Sequence, residues 1–168
     1  MESVVCGIDP GLGTTGYAVV TGSRSSMTLL DAGVCRFSAK DPLPVRLQAL
    51  HEDIGELLHE FRPGLVAVEA LFSHYRHPRT AILMGHARGV VLLAASSAGA
   101  RVESYSATRI KRHLTGNGRA SKDQVQRAIQ TTLGLPALPE PHDLADAVAI
   151  ALCAWDDRRA AQGEGSLA

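Results

Sequence analysis

The chain has 168 residues, 45% of them hydrophobic and 20% charged, which suits one soluble globular domain with a single sizeable core. A formal net charge of zero argues against a uniformly basic nucleic-acid binder, but the charge is unevenly placed. Residues 1–75 carry five Lys/Arg against nine Asp/Glu, residues 76–127 ten against two, and residues 128–168 two against six. A basic middle between acidic flanks is what a local phosphate-binding face needs, although such runs also serve as plain solvated surface.

No charged start, apolar middle and small-residue cleavage site of a secretory signal opens the chain. Cys6, Cys35 and Cys153 are scattered without zinc spacing and suit reduced thiols in a cytoplasmic protein. The first strand signal, Val4-Val5-Cys6-Gly7-Ile8, ends in Asp9, and Pro10-Gly11 breaks it. Gly11, Gly13 and Gly16 keep the turn bare, Thr14 and Thr15 offer hydroxyls, and Tyr17-Ala18-Val19-Val20 resumes β character. A carboxylate leaving a buried strand beside bare backbone suits a metal ion or a phosphate. An Asp that accepts backbone bonds in a tight turn explains the same stretch.

Met27–Leu30 and Gly33–Phe37 form a further extended segment, with an irregularity expected at Asp31-Ala32-Gly33. Asp41-Pro42-Leu43-Pro44 opens a helix whose Leu47, Leu50, Ile54, Leu57, Leu58 and Phe61 share one face, and Arg62-Pro63-Gly64 stops it. Leu65–Val68 is a short buried strand that ends in Glu69. If it runs parallel beside the first strand, Asp9 and Glu69 emerge together at the carboxyl edge of the sheet. The loop that follows mixes Phe72 and Tyr75 with Arg76 and Arg79, so aromatic faces for unpaired bases stand next to cations for phosphates. Covering the core is the plainer role for either aromatic.

Residues 80–97 predict a helix apolar nearly all round, whose apolar run Ala81–Ala95 is too short to span a bilayer. Gly85 and Gly89, one turn apart, permit close approach by an internal helix or by a second copy of the chain. Arg101–Tyr105 is another strand, and Ser106 caps a helix carrying Arg109, Lys111, Arg112 and His113. Gly116-Asn117-Gly118 is a loop leading to Arg119, after which Ser121–Gln124 has capping-box spacing for a helix to about Leu133. Pro136, Pro139 and Pro141 lead into a last helix from His142 to about Arg159, with residues 160–168 expected as a disordered tail.

Asp143 and Asp146 are three apart in the first turn of that last helix and share a face. The helix dipole favours acids there, but Leu144, Ala147, Val148, Ala151 and Leu152 make the helix largely buried and pull both acids inward. Two unit charges 4 Å apart repel by about 4 kcal/mol at an effective dielectric of 20, so Asp9, Glu69, Asp143 and Asp146 converge only around protons or cations. Oxygen-only ligands select Mg²⁺ or Mn²⁺, and two such ions about 3.5–4 Å apart activate water and steady the leaving oxygen of a phosphodiester.

Gly7-Ile8-Asp9-Pro10-Gly11 with Thr15-Gly16-Tyr17, then Val68-Glu69, then Asp143-Leu144-Ala145-Asp146-Ala147 resembles the RuvC-type Holliday junction resolvases. Gly85-His86-Ala87-Arg88-Gly89-Val90 and Lys111 with Ser121-Lys122 look like the same family, collinear from residue 4 to about 155. The resemblance implies an α/β, ribonuclease H-like fold in residues 1–159, with a five-stranded mixed sheet flanked by helices, and a homodimer. It implies metal-dependent nicking of two opposed strands of a four-way DNA junction in recombination and repair, and a RuvAB-type branch-migration complex as partner. Asp9, Glu69, Asp143 and Asp146 occupy the family's catalytic metal-ligand positions. Phe72 matches a junction-contacting aromatic, and Lys111 and Lys122 match basic residues near the scissile phosphate; Tyr75, Arg76 and Arg119 are further candidate DNA contacts. Some relatives carry His at the first position of the helical pair, where His142 here precedes Asp143; Asp143 is the expected ligand, with His142 supporting it or touching substrate. Actin-like ATPases and sugar kinases share a related first hairpin but duplicate the fold, and this chain shows no internal repeat. A DNA-structure binder without catalysis leaves the acids unexplained, and an RNA-cutting nuclease of the same fold is excluded by the resemblance alone.

Overall fold

The computed structural model describes residues 4–23, 26–71 and 78–164. Strands β1 (Val5–Asp9), β2 (Thr14–Gly22) and β3 (Met27–Arg36) form an antiparallel meander. Strands β4 (Leu65–Glu69) and β5 (Arg101–Tyr105) extend it as parallel neighbours, so the order is β3-β2-β1-β4-β5. Parallel pairing runs from Val5 opposite Leu65 to Ile8 opposite Val68, which brings the next residues, Asp9 and Glu69, out at one edge, as the two strand endings imply.

Strand alternation divides the core between two faces. Cys6, Ile8, Val19, Val66 and Val68 meet α1 (Leu43–Phe61) and α2 (Pro78–Ser97). Val5, Ala18, Val20, Leu65 and Ala67 meet α3 (Ala107–Thr115), α4 (Lys122–Leu133) and α5 (His142–Glu164). Leu50, Ile54, Leu57 and Leu58 are the buried side of α1, and Arg62, in the left-handed conformation at φ 44°, ends it. Ser106 accepts from the Arg109 N–H to start α3, and Ser121 and Gln124 form the reciprocal capping box expected for α4.

Three expectations need correcting. The irregularity falls at Leu30 rather than at Asp31-Ala32-Gly33, because Val19 faces Asp31 while Val20 faces Leu29. The extra residue switches parity, so that Ala32 rejoins Leu29 against the core. Asp31 goes to the other face and accepts from the Tyr17 hydroxyl at 3.2 Å. Toward the C-terminus α5 continues through Ala160 and Ala161 to Glu164, since alanine and glutamine extend a helix readily. Helix α2 begins at Pro78 and reaches 20 residues, enough by length and composition alone to cross a membrane, which the shorter apolar run concealed. Its Ala87, Val91, Ala94 and Ala95 are instead buried against α1 and the sheet.

What positions α5 is glycine. A methyl group on Gly7, at the centre of β1, would stand 2.5 Å from both the Ala147 carbonyl oxygen and the Ala151 nitrogen. One on Gly16, the residue paired with Asp9, would overlap the carbonyl of Asp143. The start of the helix therefore lies directly on the hairpin, beside the end of β1.

Candidate active site

Asp9 is carried to the sheet edge by β1, and the turn after it is braced on three sides. The fully buried Thr15 hydroxyl accepts from the Gly11 N–H at 3.0 Å and donates to the Gly11 carbonyl at 2.7 Å. Arg46 of α1 donates to the Leu12 carbonyl through Nε at 3.2 Å and Nη2 at 2.5 Å. Of the two hydroxyls the turn offered, Thr15 is thus committed to holding backbone. The side chain of Asp9 is left facing the other acids.

Burial, then the negative charges of Glu69 and Asp146, push the Asp9 carboxyl up to about 8; the bond between the Asp9 and Glu69 side chains and the charge of Asp143 add to this. Glu69 is raised by burial and by the charge of Asp146, against the lowering effect of its bond with Asp9. Asp146 is raised by burial, which Lys122 opposes, and the charge of Asp143 adds to it. The four acids singled out in the sequence thus act on one another from three elements, as convergence requires. Asp9 carries a proton near neutrality only in the absence of a better countercharge.

A divalent ion suits this donor set. All four groups are carboxylates, half-buried, and their mutual repulsion is what a hard cation relieves. Among the described residues no three ligating side chains already stand as a finished cage, so the fit rests on donor chemistry and mutual electrostatics.

Two cations rim the acids. Glu69, Asp146, Lys111 and Lys122 line one cavity of about 250 Å³, whose floor is Ile110, Val125, Ala149 and Ile150. Lys122 Nζ lies 3.9 Å from Asp146 Oδ2, the lysine exposed and the acid partly so. An exposed pair at that range contributes about 0–1 kcal/mol to stability, so the lysine is free to meet a phosphate. Arg119 is exposed on the loop between α3 and α4 and does not line this cavity. His142 is exposed too and acts on Asp146 only by lowering it slightly through charge. Phe72, Tyr75 and Arg76 lie outside the described residues.

Sequence reasoning missed Arg88 as part of the site. Its Nε donates to the Glu69 carbonyl at 3.1 Å and its Nη2 to the Ser104 hydroxyl at 2.6 Å. The residue is visible inside the Gly85–Val90 segment, but nothing in the spacing says that it reaches a strand end 19 positions earlier.

A mixed five-stranded sheet with carboxylates at the end of β1, the end of β4 and the start of α5 defines a ribonuclease H-like α/β protein of the resolvase type. The comparisons are specific about which. The family model described as Crossover junction endodeoxyribonuclease RuvC matches residues 5–154, and the chain belongs to that family. A relative of that name from Rhodopirellula baltica is 53% identical over 151 residues, spanning 90% of this chain and 85% of the relative. The structure of Thermus thermophilus RuvC is 41% identical with a TM-score of 0.83, covering 92% of this chain and 95% of that one. The same protein in complex with Holliday junction substrate is 40% identical with a TM-score of 0.88, covering 95% and 96%.

Proposed function

We propose that this chain is a structure-selective endonuclease that resolves four-way DNA junctions by nicking two opposed strands in recombination and repair. The observation that carries this reading is the convergence of Asp9, Glu69, Asp143 and Asp146 under a rim of two lysines, where burial and then the charges of Glu69 and Asp146 push Asp9 up to about 8. That a Thermus thermophilus relative is described in complex with Holliday junction substrate supports the choice of DNA.

The four carboxylates would hold two Mg²⁺ ions, with Mn²⁺ able to substitute. Bound there, the ions supply an activated water and charge stabilisation for the departing oxygen. The chain's own part is to hold four acids against their repulsion, to keep the turn at Asp9 rigid through Thr15 and Arg46, and to present Lys111 and Lys122 to the phosphate. Arg119, with Phe72, Tyr75 and Arg76 outside the described residues, would extend the DNA contact. Residues 1–159 would act as one nuclease domain, in the cytoplasm, in association with a RuvAB-type branch-migration complex.

A homodimer is supported by α2. Ile82 and Leu93 are 62% and 60% exposed, and with Gly85 and Gly89 they fall on the stripe opposite the buried Ala87, Val91 and Ala94. A four-way junction has two-fold symmetry, and a two-fold dimer presents one acid cluster to each of two opposed strands.

Labelled four-way junction, linear duplex and RNA hairpin, each with and without Mg²⁺, test the proposal. Paired, Mg²⁺-dependent nicks in the junction are expected. Preferential cutting of the hairpin would point to an RNA nuclease of the same fold, and binding without cutting would leave only a junction binder.

A further inference from the structure

The peptide that joins Glu69 to Ala70 is gripped at both ends. Its N–H, on Ala70, donates to the Tyr105 carbonyl at 2.9 Å and so continues the β4–β5 ladder by one step. Its carbonyl, on Glu69, has passed the end of the sheet and is met by Nε of Arg88 at 3.1 Å. The same guanidinium donates through Nη2 to the Ser104 hydroxyl at 2.6 Å, and Ser104 is the register partner of Val68. One rigid fork from α2 therefore ties together the last peptide of β4 and the neighbouring strand β5. Arg88 thus acts on the Glu69 main chain and on a neighbouring hydroxyl.

A fixed 69–70 peptide plane holds the Cα–Cβ bond from which the Glu69 side chain starts. That matters because the carboxylate, bonded to Asp9 and repelled by Asp146, would swing toward water on a free strand end. We propose that Arg88 is the positioning residue for Glu69, clamping its carbonyl to Ser104 and setting the angle at which the carboxylate meets the ion-binding cluster. The inference rests on Glu69 being a metal ligand, and goes beyond it by assigning the group that aims it. Groups that orient a ligand in this way typically change metal affinity or activity by about 10–100-fold when removed.

Arg88→Met keeps much of the apolar stem and removes both donors. Full-length variant and parent are compared in three measurements: melting temperature without metal, the upward shift of that temperature on adding Mg²⁺ without DNA, and the Mg²⁺ concentration for half-maximal junction nicking. The expected result is a metal-free melt close to the parent's, a smaller Mg²⁺-induced shift, and a half-saturating Mg²⁺ concentration raised about 10-fold or more, with nicking recovering at high Mg²⁺. In a Glu69→Gln background the Arg88 substitution should change the Mg²⁺-induced shift no further.

An unchanged Mg²⁺ requirement in folded Arg88→Met overturns the inference. So does an unchanged requirement joined to a salt slope of junction binding reduced by about 0.9, which would make Arg88 a phosphate contact. If Arg88→Met does not fold, Ser104→Ala removes one arm of the clamp alone; it should raise the half-saturating Mg²⁺ several-fold, and no change would again overturn the inference. Glu69→Gln that nicks like the parent would instead overturn the ligand assignment, a failure distinct from that of the clamp.

Discussion

A half-buried carboxyl with acidic neighbours is relieved by a proton or by a cation, and the upward shift of Asp9 favours the proton where no cation is bound. Unfolded Asp titrates near 3.9, whereas folded Asp9 is raised to about 8 by burial and by the charges of Glu69 and Asp146. The fold thus binds the proton more tightly than the unfolded chain does. Its contribution to stability is complete below about pH 4 and is lost as pH rises through about 8. Metal-free protein should therefore melt lower at about pH 9 than at about pH 6, and Asp9→Asn should flatten that slope. Mg²⁺ should stabilise more at the higher pH, because it binds the ionised set. Equal slopes in parent and Asp9→Asn, followed by calorimetry, would show that Asp9 is not the group held neutral. Lys111 and Lys122 line the same cavity and make a separate prediction. Replacing either with Ala should lower the salt slope of junction binding by about 0.9, as loss of one phosphate contact does on duplex DNA. Unchanged slopes in both variants would move the lysines away from DNA.

At the scale of elements, α5 carries two of the acids and is placed by what the sheet lacks. Gly7 and Gly16 let its backbone touch β1 and β2. Gly7→Ala puts a methyl group 2.5 Å from the Ala147 carbonyl oxygen, and overpacking of this kind costs about 1–3 kcal/mol. Gly13→Ala meets nothing within 4 Å and is the control. The first variant should melt several degrees lower and the second near the parent; equal melts would show that α5 has slack. Much of this scale was legible in the chain. The apolar stripe of α1, the Ser121–Gln124 capping box and the endings at Asp9 and Glu69 are local patterns, and each formed as expected. What escaped depends on partners far away in sequence. The parity switch at Leu30 follows from which residues of β3 the opposite helix needs, and Arg88 joins Glu69 and Ser104 only after α2 has packed. The bare turn offered two hydroxyls without revealing that Thr15 would bind Gly11.

For the whole molecule, the proposed dimer through the exposed side of α2 would tie assembly to chemistry. A Cβ at Gly89 would meet nothing within 4 Å among the described residues of one copy, and leucine favours helix over glycine, so Gly89→Leu should leave the fold of one copy intact. That variant should sediment with more monomer and lose paired nicking while still unfolding cooperatively. A fully active Gly89→Leu dimer would place the contact elsewhere. Charge is distributed to match: the basic middle supplies Lys111 and Lys122, while the acids come from the flanks, so the residues proposed to bind DNA and those proposed to cut it are different. The two should therefore separate on mutation. Nicking of a labelled four-way junction in Mg²⁺ by Asp9→Asn, at a concentration where it binds the junction as tightly as the parent, is the most direct test. Full binding with no detectable cleavage is the expected result, and metal-dependent nicking at the parent's rate would remove Asp9, and with it the carboxylate site, from the chemistry.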